Sequence, residues 1–298
     1  MRRHPLFPAY LALGSVCLFW GTTYLFIRMA LESFPPLLLV SVRFLLSGSI
    51  LLAICVLRRQ PLPRGRELAR AAGNGVLILG VGNGCLTFAE MWVPSSLAAL
   101  IITVSPFWMV GLEALVPGGE RLRWRTLAGM AVGASGAALL IGPTVLREGI
   151  GGGVLKAFCI LQLGSLCWSL GSIRQKRAPG AAHPVVSGAI QQLAAGAAFL
   201  LPALVADEHP VVWSARGTAA LLYLMLFGSI VGYSSYVYAL DRLPVALVSI
   251  YTYINPIVAV VLGWLVYREA FGIREAAAMG IIFAGVALVK RAAAAVAD

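Results

Sequence analysis

Mostly apolar stretches long enough to cross a bilayer recur along this chain from one end to the other, and the connections between them are too short to fold on their own. A membrane-spanning helix needs about 20 such residues. Windows of that size lie at 9 to 30, 36 to 57, 71 to 91, 95 to 116, 124 to 142, 153 to 173, 184 to 206, 217 to 240, 245 to 266 and 272 to 289. The longest connections, Arg58 to Arg70 and Asp207 to Arg216, leave no room for an appended soluble module. The expected fold is an all-α membrane protein of ten transmembrane helices. Charged residues make up only 12% of the chain and hydrophobic ones 60%, too few charges to cover a water-soluble surface.

The segment after Met1, Arg2, Arg3 and His4 resembles a secretory signal. It runs from Ala9 to Ala30, carries Trp20, Thr22, Thr23 and Tyr24, and lacks a small-x-small cleavage site, so it is read as a retained first helix. The formal charge of +11 sits in short connections and not in a continuous stripe, which argues against a nucleic-acid partner. With the N-terminus inside, the inner connections collect Arg58, Arg59, Arg64, Arg66, Arg70, Arg121, Arg123, Arg174, Lys176 and Arg177, and the termini add Arg2, Arg3, Lys290 and Arg291. Fewer, such as Arg147, Lys156 and Arg216, fall outside. The positive-inside rule then puts both termini in the cytoplasm. Cys17, Cys55, Cys85, Cys159 and Cys167 lie within apolar segments and read as buried hydrophobes. His4, His183 and His209 are too scattered for an enzyme's metal site, and neither a cofactor nor a metal is expected.

The sequence also repeats itself. A shift of 148 residues lays Trp20 on Trp168, Arg28 on Lys176, Pro36 on Pro184 and Arg43 on Gln191. At 150, Pro94 meets Pro244, Leu97 meets Leu247 and Pro106 meets Pro256, and at 149, Glu120 meets Glu269 and Gly136 meets Gly285. The drift is what small loop insertions produce. Two halves, 1–148 and 149–298, each with five helices, would enter the membrane from opposite sides, an inverted-topology repeat around a central cavity.

In the order and duplication of these features the sequence resembles the EamA-type ten-helix branch of the drug/metabolite transporter superfamily. The resemblance rests on Phe19-Trp20-Gly21, on Pro106 followed by Gly119-Glu120-Arg121-Leu122, and on their second copies at Trp168 and at Pro256 followed by Arg268-Glu269. It implies a carrier that works as a monomer, a dimer not being excluded, with helices 5 and 10 packed outside the cavity. Among the branches it looks most like bacterial exporters of amino acids, aromatic ones included, with a multidrug or other metabolite carrier as the alternative. Helix 1 has no acid before Glu32, so the glutamate mechanism of the small four-helix relatives is not expected. The expected partners are a small-molecule substrate and membrane lipid.

Ionisable or polar residues inside a span are costly and are functional candidates by default. Arg43 either binds a substrate carboxylate, as a planar bidentate donor, or pairs internally with Glu90. Glu90 and Glu113 are candidates for proton coupling, Glu113 alternatively meeting Arg121 or Arg123. Trp20 and Tyr24 lie one turn apart and Trp168 answers Trp20 in the second half. With Trp108, Tyr236 and Tyr251 they either line the cavity or pack against lipid. Ser105-Pro106 and Asn255-Pro256 hold matching places as polar spots and as hinges or static kinks. Asn83 and Gln191 complete the substrate-binding set. Gly129, Gly133, Gly136, Gly280 and Gly285 are assigned to helix packing.

Overall fold

The structure is a computed structural model describing residues 6–117, 124–149, 152–178, 180–248 and 250–294. Arg2, Arg3, His4, Glu120, Arg121 and Arg123, with the rest of the Gly119 to Leu122 motif, lie outside the described residues, as do the side chains of Lys290 and Arg291. The chain is helical throughout its regular elements. Helix α1 is Phe7–Leu31, α2 Pro36–Leu57, α3 Gly65–Ala89 and α4 Ser95–Leu115. Next come α5 Trp124–Glu148, α6 Gly153–Arg177, α7 Pro184–Val205 and α8 Ala215–Arg242. These eight are long and apolar enough to cross a membrane. They are followed by a single turn, Val245–Val248, a shorter apolar α9, Tyr251–Tyr267, and α10, Ile273–Ala294.

Proline starts α2 and α7 at the first helical residue, where a missing N–H costs nothing. Arg268 ends α9 in the left-handed region. Three of the eight long spans are not uniform. Within α3 the segment Val76–Asn83 is a π-helix, and within α8 so is Leu224–Tyr233. Helix α4 breaks into Ser95–Ile102 and Ser105–Leu115. Pro106 cannot donate to the Ile102 carbonyl, and the Ser105 hydroxyl does so instead at 2.6 Å. In α9 the break precedes Pro256 and separates the turn from Tyr251. There, with its amide nitrogen turned toward them, Asn255 donates to the carbonyls of Tyr251 and Cys17 at 3.2 and 3.1 Å.

Helix α2 packs along α7 and α5 along α10, while α1 lies on α9 and α8, and α6 lies on α4 and α3. Replacing each helix by the one five places away leaves these pairings unchanged. Glycine permits the α5–α10 contact: a Cβ on Gly285 would lie 2.6 Å from the Gly133 Cα and 2.7 Å from the Gly129 carbonyl. Gly280 faces open space, so it does not share the packing role expected of it. Cys159 is exposed and Cys85 and Cys167 are half-buried, so burial holds only for Cys17 and Cys55. Large apolar side chains such as Leu57, Leu146, Leu204 and Ile273 point outward from the bundle, which suits lipid as the surrounding medium.

Candidate functional site

Between two buried clusters, one centred on Ile27, Ala89 and Leu100 and the other on Val16, Ile78 and Tyr236, the helices leave a central cavity. It is bounded by Trp20, Thr23 and Tyr24 of α1, Arg43 and Phe44 of α2, and Leu79, Gly82 and Asn83 of α3. Ser105, Ser165, Trp168, Tyr233, Tyr251 and Asn255 close the other side. The centres of water-sized molecules find about 80 Å³ there. One water needs roughly 10 to 15 Å³ on that measure, so the cavity suits a small solute or a few waters.

Of the residues expected to bind substrate, Trp20, Tyr24, Arg43, Asn83, Ser105, Trp168, Tyr251 and Asn255 all border this cavity. Three do not. Trp108 faces a separate apolar groove between α4, α5 and α6, held there by its donation to Gln162 Oε1 at 2.9 Å. Gln191 borders a second, polar pocket with Glu67, Arg70 and Lys176. Tyr236 is buried behind the cavity, held by Ser172 at 2.7 Å and Trp168 at 3.3 Å.

One end of the cavity is a cluster of rings in which Trp168 and Tyr251 meet Trp20 edge to face. Trp20 lies 5.3 Å from Trp168, 5.0 Å from Tyr236 and 5.2 Å from Tyr251, measured between ring centroids. Its indole N–H donates to the Gly228 carbonyl at 3.0 Å. Tyr233, absent from the sequence-based set, borders the cavity and donates to Gln191 Oε1, while Gln191 donates onward to Gln175 at 2.8 Å. Tyr233 thus stands between the two pockets. The 150-residue shift that aligns Pro106 with Pro256 also aligns Asn83 with Tyr233, and that was the available signal for it.

Arg43 is 4% exposed. Its Nε donates to Ser229 Oγ at 2.8 Å and its Nη1 to Asn83 Oδ1 at 3.3 Å. No carboxylate among the described residues pairs with it, so the internal ion pair with Glu90 is not formed. Both partners are uncharged hydroxyl or amide oxygens, which orient a guanidinium without neutralising it. The π segment of α8 provides this arrangement: its Gly228 and Ser229 carbonyls accept from Trp20 and from Gln192 Nε2, and its Ser229 hydroxyl holds Arg43.

Arg28, near the end of α1 remote from the N-terminus, does find an acid. It pairs with Glu269 in the turn between α9 and α10. Glu269 also accepts from Ser95 N at 3.1 Å, Ser95 Oγ at 2.8 Å and Ser96 N at 2.9 Å, capping α4. Burial by itself would raise the Glu269 carboxyl, but the Ser96 and Ser95 hydrogen bonds and the Arg28 charge together hold it below the usual carboxylate range. The link it makes between α1, the start of α4 and the α9–α10 turn is therefore present above that range and lost as pH falls through the lowered value. Glu113, in contrast, is partly exposed and meets Arg177 at 2.5 Å. Arg121 and Arg123 being outside the described residues, the structure supplies a partner the sequence reading did not name.

A bundle of membrane-length helices enclosing a small, mostly apolar cavity bordered by a buried, unneutralised cation is the architecture of a membrane transporter, and the sequence relationships agree. The EamA-like transporter family model matches residues 7–142 and again 155–291. The chain belongs to that family, within the drug/metabolite transporter superfamily. It is 37% identical over 293 residues to the uncharacterized inner membrane transporter YedA of Escherichia coli (strain K12), covering 97% of this chain and 92% of that one. It is 30% identical over 278 residues to the probable terminal-alkyne amino-acid exporter of Streptantibioticus cattleyicolor, with 91% and 90% covered. The probable amino-acid metabolite efflux pump of Salmonella typhimurium is 26% identical over 284 residues, with 91% and 90% covered. A solved structure, described only as the crystal structure of a protein, superposes with a TM-score of 0.71 at 23% identity, covering 97% of this chain and 99% of its own, and shares the fold.

Proposed function

We propose that this transporter exports small carboxylate-bearing metabolites, neutral or aromatic amino acids foremost, across the bacterial inner membrane by alternating access at the central cavity. The single observation carrying this reading is Arg43: a buried guanidinium, oriented by Ser229 and Asn83, bordering the cavity without an acidic partner among the described residues. A substrate carboxylate supplies the missing charge. The adjoining rings of Trp20, Trp168 and Tyr251 suit an apolar or aromatic side chain. The names of the amino-acid exporters among the relatives lend the same substrate class. A fixed positive charge disfavours the lipophilic cations of a multidrug carrier.

On this reading the chain has ten spans in two inverted five-helix halves, 1–148 and 149–298, with both termini cytoplasmic, and works as a monomer. The helix pairings that survive exchange of the halves support it, as does the double match of the family model. Equivalent halves inserted in opposite senses provide two related states, each open to one face. Pro106 and Pro256 act as the hinges, each beside a helix break.

The test is counterflow of radiolabelled phenylalanine, leucine and alanine into proteoliposomes. Saturable exchange is expected, and no exchange of any of the three above protein-free vesicles rejects the substrate class. Trp20→Ala removes the ring at the centre of the aromatic cluster, and its expected effect is selective. Phenylalanine exchange falls about two- to tenfold, as loss of aromatic contacts worth roughly 0.5 to 1.5 kcal/mol predicts, while alanine exchange changes little. Equal loss for both substrates would show that the cluster acts on folding alone.

A further inference from the structure

Glu90, at the end of α3, is 7% exposed, and neither carboxylate oxygen makes a hydrogen bond. The charged groups that act on it are Arg28 of α1 and Glu269 of the α9–α10 turn, and the titratable Tyr24 of α1, which borders the cavity, acts with it. One cation therefore faces two acids. Glu269 holds the guanidinium and three donors from Ser95 and Ser96, and Glu90 holds none. A carboxyl buried without donors is costly when ionised, and an ionised Glu90 would both compete for Arg28 and repel Glu269 at close quarters.

We infer that Glu90 is a proton-binding site whose occupancy controls the closure made by Arg28, Glu269, Ser95 and Ser96. With the proton on Glu90, Arg28 stays on Glu269 and the start of α4 remains fastened to α1 and the α9–α10 turn. Loss of that proton to water leaves Glu90 negative, draws Arg28 off Glu269 and frees the Ser95 and Ser96 N–H groups. In the orientation proposed above this is the periplasmic face, and the site makes opening of that face depend on external pH. The inference deepens the transport reading by naming the coupling ion, yet its chemistry is independent of which solute is carried.

Two measurements on the purified full-length protein in lipid test it without a substrate. Infrared difference spectra between mildly acidic and mildly alkaline buffer should contain a protonated-carboxyl C=O band that Glu90→Gln abolishes and Glu113→Gln retains. Hydrogen exchange read on peptides containing Ser95 and Ser96, corrected for the intrinsic pH dependence of amide exchange, should rise severalfold over the same pH interval. Glu90→Gln, a permanently neutral isostere, should stay protected throughout, and Glu269→Gln should exchange rapidly at both ends. A band unaffected by Glu90→Gln, or the same pH profile for wild type and Glu90→Gln, overturns the inference. Should phenylalanine, leucine and alanine all fail to exchange while the band and the protection change are present, the substrate reading falls and this site stands.

Discussion

Arg43→Gln is expected to weaken binding of a carboxylate-bearing solute by roughly ten- to a hundredfold, from the approximately 1.5 to 3 kcal/mol that a hydrogen bond to a charged group contributes. The measurement is the half-saturating concentration for phenylalanine counterflow, with protein recovery after size-exclusion chromatography as the control. Glutamine keeps a donor for Ser229 and Asn83 but removes the charge, so assembly should survive. Arg43→Lys gives an intermediate result, because an ammonium supplies the charge without the planar fork. If both variants exchange phenylalanine with unchanged half-saturation, Arg43 does not contact the substrate. A residue whose role was confined to bridging α2, α3 and α8 would lower the amount of folded carrier and leave the half-saturation of the remainder untouched.

The second large effect concerns assembly. Gly285→Val places a branched side chain where even a Cβ would lie 2.6 Å from Gly133 Cα and 2.7 Å from the Gly129 carbonyl. Those atoms belong to the backbone of α5 and cannot rotate away, so α5 and α10 must separate. Overpacking of this kind costs about 1 to 3 kcal/mol where side chains can adjust, and backbone contact puts this site at or beyond the upper end. The expected outcome is a fall in melting temperature and a loss of monodisperse protein. Gly280→Val, on the same helix but facing open space, should leave both unchanged. Equal behaviour of the two variants would dismiss close α5–α10 packing as the cause.

Much of this was legible in the residues, and the reasons are physical. A bilayer demands long apolar segments, so the positions of the helices could be read within a few residues. Trp20 and Trp168 stood out because tryptophan is rare enough for a repeat to be noticed, and Arg43 because a charge within a span is costly. What escaped depended on exact register or on distant partners. Trp108 looked equivalent to the cavity aromatics, but its ring lies in the groove between α4, α5 and α6 and its N–H is taken by Gln162. Arg28 and Glu269 are 241 positions apart, and their places in the repeat and in the family motif gave no sign that the two meet. Gln191 aligns with Arg43 in the sequence, yet its neighbours are Tyr233 and Gln175, so a match in sequence did not give a match in environment. Neither π segment was foreseen, because a run as uniformly apolar as Val76 to Val81 carries no stripe from which a change of winding can be read.

Those two wider turns also bear on which length changes the chain can absorb. Removing one residue from an ordinary membrane helix swings everything beyond it round to a new face, and the helix loses its neighbours. Where a turn already holds a surplus residue, a one-residue deletion restores regular winding and leaves both flanks facing as before. Within Leu224–Tyr233 such a shortening would keep α8 seated in the bundle while withdrawing the backbone oxygens offered to Trp20 and Gln192. Such a deletion is expected to spare the scaffold and to cost the pocket.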